Sequence, residues 1–217
     1  MLIVRYAKNL DESSVLPWRP ASPYHALLGN LTCWRTTFDL AVKHESSTFE
    51  HGASELLAQY HQIHSDLQRL AMPGFQESLP LSLTPLAPAA WISETRQQCV
   101  DHALALCEIL RQKIERSGLH SFVDRSIVVF VYEAMRIQLQ YISMSETKLD
   151  GAIRQVLIEN FSTGLRIVTY MGEAFEELRP SVSAFAEWLL ADVQVKVIRS
   201  LLSRHGVPIG PEQDDDE

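Results

Sequence analysis

Residues 59–80 read Gln59-Tyr-His-Gln-Ile-His-Ser-Asp-Leu-Gln-Arg-Leu-Ala-Met-Pro-Gly-Phe-Gln-Glu-Ser-Leu-Pro80, and the order of residues there decides the fold. Tyr60, Ile63, His64, Leu67 and Leu70 recur every three or four positions, which is one face of a helix. Pro73-Gly74 then ends it, because proline lacks the amide donor a helix interior needs and its ring clashes with the preceding turn. Upstream, Leu56 and Leu57 continue the same face, and Ser47-Thr-Phe-Glu50 has the form of a capping box. A helix is therefore predicted from about Glu50 to Ala71. Downstream, 73–88 holds four prolines, too many for a helix interior, and reads as an ordered loop.

The same periodicity extends in both directions. Ser22-Pro23 supplies an N-cap and a proline at the first helical position, and Tyr24, Leu27, Leu28, Leu31 and Trp34 carry a helix to about Phe38. A third helix begins between Ala89 and Ser93 and runs to Ser117 on the stripe Cys99, Ala103, Leu106, Cys107, Leu110 and Ile114, with Gly118 as its stop. Asp124 can cap a fourth, with Ile127, Val128, Val131, Met135, Leu139 and Ile142 on one face. Its opening run Ile127-Val-Val-Phe-Val131 suits a strand taken alone, but the helical pattern outlasts any strand. A fifth follows from Leu149 to about Gly172, with a break expected near Ser162-Thr-Gly164. A sixth starts at Pro180 and carries Phe185, Trp188, Leu189, Val193, Val197 and Leu201 to Gly206. The expected architecture is an all-α bundle of about six amphipathic helices over 22–206. An irregular arm precedes it at 1–21, and a disordered acidic tail, ending Asp214-Asp-Asp-Glu217, occupies 207–217.

Composition narrows the function classes. Apolar residues at 46% and charged residues at 21% are those of a soluble globular chain. A net charge of −8 opposes a bare nucleic-acid binder, which needs a positive stripe against phosphate. No membrane span is expected, since the longest apolar run, 127–132, is far below the roughly 18 residues a span takes. Three cysteines, Cys33, Cys99 and Cys107, with no secretory signal expected, read as free and mostly buried thiols in a reducing compartment.

Four blocks, taken together, resemble the middle homology region of fungal zinc binuclear-cluster transcription factors. The stretch Arg69-Leu-Ala-Met-Pro-Gly-Phe-Gln-Glu-Ser-Leu-Pro80 is similar to that family's H-R-L-A-L-P-G-F-x-E-S-L-P run. Tyr24-His-Ala-Leu-Leu-Gly-Asn-Leu-Thr-Cys-Trp34 resembles its F/Y-x-x-L-L-x-x-L-x-x-W helix. Trp91 with Gln98-Cys-Val-Asp-His-Ala-Leu-Ala105 is similar to W…Q-C-L-E-H-A-L. Phe122-Val-Asp124 with Tyr132-Glu-Ala-Met-Arg-Ile137 resembles F-V-D-P…Y-E-A-T-R-I, with Arg125 and Met135 as departures. The blocks keep the family's order and cover about 22–141.

The resemblance implies an all-helical regulatory domain of a nuclear transcription factor, acting in transcription regulation by ligand sensing or protein contacts. It covers the downstream part of the family's region only. The family's zinc sits in a six-cysteine DNA-binding head, which three cysteines cannot form, so no cofactor and no direct nucleic-acid contact are expected of this chain. Expected partners are a second copy, co-regulators or a small-molecule effector. A fragment of a longer regulator and a stand-alone descendant both fit, and which genes or ligand are involved is not written in the sequence. A stand-alone helical dimerisation module, with the last helix as its interface, is the alternative reading. An enzyme on the same scaffold is a third.

No catalytic, metal or DNA-binding residue is assigned. His61 and His64 stand at i and i+3 on one helix, with His51 and Asp66 as the nearest further candidate ligands, but packing and surface placement is the reading adopted. Cys99-x-x-His102 is half of a zinc pattern without its second half, and Cys99 and Cys107 read as small apolar knobs. Cys33 is expected inside, next to Trp34. Glu133 and Arg136 read as a structural ion pair, and Glu176 and Glu177 as solvated charge. The elbow Gly-x-Ser-x-Gly, Gly-x-Gly-x-x-Gly and the phosphate-loop lysine are all missing from the sequence. Trp18, Trp91 and the 72–75 loop either line a ligand cleft or plug the helix ends.

Overall fold

The computed structural model describes residues 6, 10, 15–44, 50–122, 124–144, 151–180 and 182–184. They form five long α-helices: α1 Pro23–His44, α2 Glu50–Gln68, α3 Ala89–Ser117, α4 Ser126–Met144 and α5 Gly151–Ala174. Single 3₁₀ turns stand at Arg69–Ala71, Thr84–Leu86, Leu119–Ser121 and Glu176–Leu178. The described residues contain no strand, and the architecture is an all-α multi-helix bundle.

Local chemistry accounts for the ends. Ser22 is buried, and its hydroxyl accepts from the His25 amide at 3.4 Å while donating to the Pro17 carbonyl at 3.0 Å, so it caps α1 and ties down the arm before it. α1 runs past the predicted end at Phe38 because no breaker intervenes, and Arg35 pairs with Asp39 one turn on at 2.9 Å. α2 tightens into the 3₁₀ turn Arg69–Ala71, after which Met72 is extended at φ −91°, ψ 121°. Gly118 takes φ +73° at the end of α3 and donates its amide to the Ile114 carbonyl at 2.8 Å. That left-handed angle is open to glycine and costly for a residue with a Cβ. Asp124 Oδ1 accepts from the Ser126 amide at 2.9 Å at the start of α4.

The β-branched opening of α4 is helical because Ile127, Val128, Val131, Ala134 and Met135 then share one buried face; packing outweighs intrinsic preference. α5 is continuous through Ser162-Thr-Gly164, where a break was expected. A Cβ on Gly164 would lie 2.7 Å from Met135 Sδ and 3.0 Å from Val131 Cγ1. The glycine thus permits close approach of α5 to α4 and does not interrupt the helix. Arg179, Pro180 and 182–184 begin a further helical segment. The remainder of the predicted sixth helix, the 207–217 tail, Ser47 of the capping box and most of the 1–21 arm lie outside the described residues.

Two apolar clusters hold the bundle. The larger joins Met72 and Phe75 of the loop to Cys99, Leu106, Val131, Met135, Ile137, Phe161, Ile167 and Met171 of α3, α4 and α5. The smaller joins Tyr24, Leu67, Leu70, Leu79 and Leu83, with Trp18 and Trp91 against them. The proline-bounded loop is ordered because the Leu79 amide donates to the Leu70 carbonyl at 2.8 Å and Ser78 Oγ, accepting from the Phe75 amide at 3.0 Å, donates to the Met72 carbonyl. Each apolar side chain fully withdrawn from water here contributes about 1.5–3 kcal/mol. Several stripe residues are more open than expected: Leu27, Trp34, Leu56, Ile63 and Val156 are all more than a third exposed, and Cys33 is exposed too. Periodicity identifies a face, but α1 has its main helix contact with α2, so much of its own stripe stays uncovered.

Candidate functional site

Two polar clusters are built on α2 and its 3₁₀ extension. The first gathers His61 and His64 of α2 with His102 of α3, on the most extensive helix–helix interface of the bundle. His61 Nδ1 and His102 Nδ1 are 2.8 Å apart, so one ring donates and the other accepts. The His64 and His102 rings stack, with centroids 4.2 Å apart and planes 13° from parallel. Tyr60 meets His64 edge-on at 4.5 Å, and its other side stacks on Trp34 of α1 at 5.4 Å, with Phe38 beyond at 5.0 Å from Trp34. Arg35 of α1 lies over the Tyr60 ring at 5.5 Å. His64 is buried, and neither of its ring nitrogens has a hydrogen-bond partner among the described residues. Burial holds all three imidazoles at a pKa of about 4. The positive charge of Arg35 adds to this at His61 and His102, and neighbouring imidazoles add to it at each of the three.

The second cluster surrounds Arg69. Its guanidinium is 6% exposed and meets three carboxylates: Asp66 at 2.5 Å, Glu77 at 3.3 Å, and Glu133 of α4. Glu133 also receives Arg136 at 3.4 Å, and both guanidiniums lie over the Phe75 ring, Arg69 at 5.3 Å and Arg136 at 4.6 Å. Arg96 of α3 closes the loop with an Nε–H to the Ala71 carbonyl at 2.8 Å. Burial pushes the Asp66 carboxyl up against the opposing pull of Arg69 and Gln62. The cluster ties the loop to α3 and α4 through charge in a site where an unpaired ion is costly.

The sequence candidates fall as follows. Cys99 and His102 point to different partners: the buried Cys99 thiol donates to the Ser65 carbonyl at 3.6 Å, and His102 faces the α2 histidines. Burial raises both Cys99 and Cys107, the latter to about 12, and Gln138 Nε2 donates to Cys107 Sγ at 3.2 Å. Neither is an activated thiolate. Among the described residues no group of three or more His, Cys, Asp or Glu has the geometry to hold a metal ion. Parallel rings explain this for the histidines, since the in-plane lone pairs of His64 and His102 do not converge on one point. Glu133 and Arg136 do pair, as expected, but the larger partner of Glu133 is Arg69, which the sequence reading left without a role. His51 lies outside the residues whose side chains are described.

The aromatic candidates fill space. Trp18 packs on Trp91 at 5.6 Å and Trp91 on Tyr24 at 5.7 Å, while Met72 and Phe75 are core. A shallow cleft of about 420 Å³ opens elsewhere, between the start of α3 and the end of α4, lined by Ile92, Ser93, Arg96, Gln97, Tyr141 and Met144. None of the aromatic candidates lines it. No helix of the described residues is long and apolar enough to cross a membrane. No known protein family, curated protein or solved structure matches the chain.

Proposed function

We propose that this chain is a helical regulatory domain of the fungal zinc-cluster type, working in transcription regulation through contact with an effector or partner protein, without bond-making chemistry of its own. The observation that carries this reading is the way the four resembling blocks interlock. The 69–80 block meets the 132–137 block through Arg69 and Glu133. The 98–105 block meets α2 through His102 and His61. The 24–34 block meets Trp91 through Tyr24 and α2 through Trp34. Segments that recur in a fixed order in one family thus pack on one another or on the α2 helix that leads into the 69–80 block.

The mechanism on this reading is differential stabilisation: an effector or partner that fits one arrangement of the helices better than another shifts the balance between them. Nuclear location and DNA binding by a separate segment belong to the same proposal. The test appends the chain to a heterologous DNA-binding head in a fungal reporter strain. The expected result is reporter output that differs from the head alone and reverts with Arg69→Ala. An unchanged output, from a fusion shown to be folded and nuclear, overturns the proposal.

A further inference from the structure

The histidine cluster has a property the regulatory reading does not require. The two Nδ1 atoms of His61 and His102 share one proton across 2.8 Å. A second proton on that pair places two N–H donors head-on and breaks the contact. His64, buried with both nitrogens unpartnered among the described residues, has no acceptor for the additional N–H that a positive ring carries. Its stack on His102 at 4.2 Å also turns from attractive to repulsive once both rings are charged. An extra proton at the free Nε2 of whichever ring donates leaves the His61–His102 contact intact, so the packing tolerates one charged ring of that pair and not two.

Among the described residues the surroundings supply no uncommitted anion to compensate. α1 presents Arg35, a further positive charge, whose partner Asp39 is engaged with it at 2.9 Å. α2 presents the Tyr60 hydroxyl, raised by burial, and Asp66, which is held in the Arg69 cluster. α3 presents Cys99, raised by burial, while Asp101, next to His102 in the chain, lies on the exposed side with Gln97 at 2.8 Å. The lid over the cluster is Tyr60, held by Trp34 and Arg35 of α1.

We propose that His61, His64 and His102 are a proton-operated latch: neutral, they hold α2 on α3 beneath α1, and on protonation they part and release the Trp34 contact while the rest of the bundle stays folded. The latch is independent of the family reading, and its test leaves that reading untouched. The direction follows from the shift: each folded pKa, about 4, lies below the ordinary histidine value of about 6.5, so the contact is complete above that value and is lost as pH falls toward 4.

The experiment uses the whole chain labelled with fluorotryptophan, the Trp34 signal being assigned by Trp34→Phe, together with the imidazole signals of the same protein. On acidification the three ring signals are expected to titrate together below the ordinary histidine range, and the Trp34 signal to move in step while those of Trp18 and Trp91 stay in place. His102→Gln keeps a partner for His61 without a titrating ring, and is expected to uncouple the Trp34 movement. Three outcomes each overturn the latch: imidazoles that titrate at or above about 6.5, a Trp34 signal that does not follow them, or movement of all the tryptophans at once, which is general unfolding.

Discussion

Arg69 and His64 are almost equally buried, 5% and 6% exposed, and stand little more than one turn apart on the same helical run. Their neighbourhoods are opposite. Arg69 is a permanent cation among three carboxylates, with one aromatic face to rest on. His64 is a base among bases, kept neutral by burial and by the neighbouring His102 ring, with neither ring nitrogen hydrogen-bonded among the described residues. A charge carried into the interior survives by pairing, and a titratable group without a counter-ion survives by giving up its charge. The first solution is rigid and insensitive to small substitutions of solvent condition. The second is conditional on pH. One helix thus carries a fixed joint at its C-terminal end and a conditional one a turn before it.

Removing Arg69 is the hardest blow to the fixed joint. Arg69→Ala leaves Asp66, Glu77 and Glu133 facing one another with Arg136 as the remaining cation, and urea unfolding at neutral pH is expected to show a loss of about 3–5 kcal/mol. Arg69→Lys restores only part of it, because a point charge cannot fork to three acceptors. A loss below about 1 kcal/mol makes this an ordinary surface pair.

The conditional joint gives a smaller effect with a pH signature. Between neutral pH and about pH 5 the unfolded chain takes up protons that the folded cluster refuses, so stability falls on the acid side. The loss is expected to be about 2 kcal/mol, well under the sum for three independent rings, because His61 and His102 are partly open to solvent and the titrations are coupled. Asp66 works in the other direction: its raised pKa adds stability on its acid side and takes it away as pH rises through the folded value. Replacing His64 by Phe and His102 by Gln is expected to cost little at neutral pH and to flatten the acid loss in urea midpoints. An acid loss of equal size in that variant places its origin elsewhere. The smallest change is Arg35→Gln. It breaks a half-exposed pair worth at most about 1 kcal/mol, but it takes away a charge that depresses His61 and His102. The acid loss should shrink in proportion, and an unchanged pH profile shows that Arg35 does not reach the cluster.

The helices were legible because their punctuation is local. Pro73-Gly74, Gly118 and Asp124 mark ends through properties of one or two residues, and the 3.6 period reports which face is apolar. The two joints were not legible, for one reason: both depend on which helix lies against which, and in what register. His61 with His64, and Cys99 with His102, are unremarkable neighbours on separate helices until α2 and α3 pack. Arg69 and Glu133 lie 64 residues apart, and nothing in either segment names the other. A signal for the hub was present in the sequence, an arginine inside the apolar run Leu67-Gln-Arg-Leu-Ala-Met72 with acids at Asp66 and Glu77, and it marks a charge that must be paired on folding. Gly164 shows the converse error, in which a residue that breaks helices elsewhere is instead the space for a neighbouring methionine.

The claim beneath both the interlocked blocks and the fixed joint is that Arg69 and Glu133 act as a unit between the 3₁₀ extension of α2 and helix α4. A double-mutant cycle of Arg69→Ala and Glu133→Ala, read by urea unfolding at neutral pH, tests it directly. The pair is expected to show a coupling of about 1–3 kcal/mol, the double variant being less damaged than the two single losses combined. Single losses that add to within about 0.5 kcal/mol contradict the claim, since independent sites behave that way.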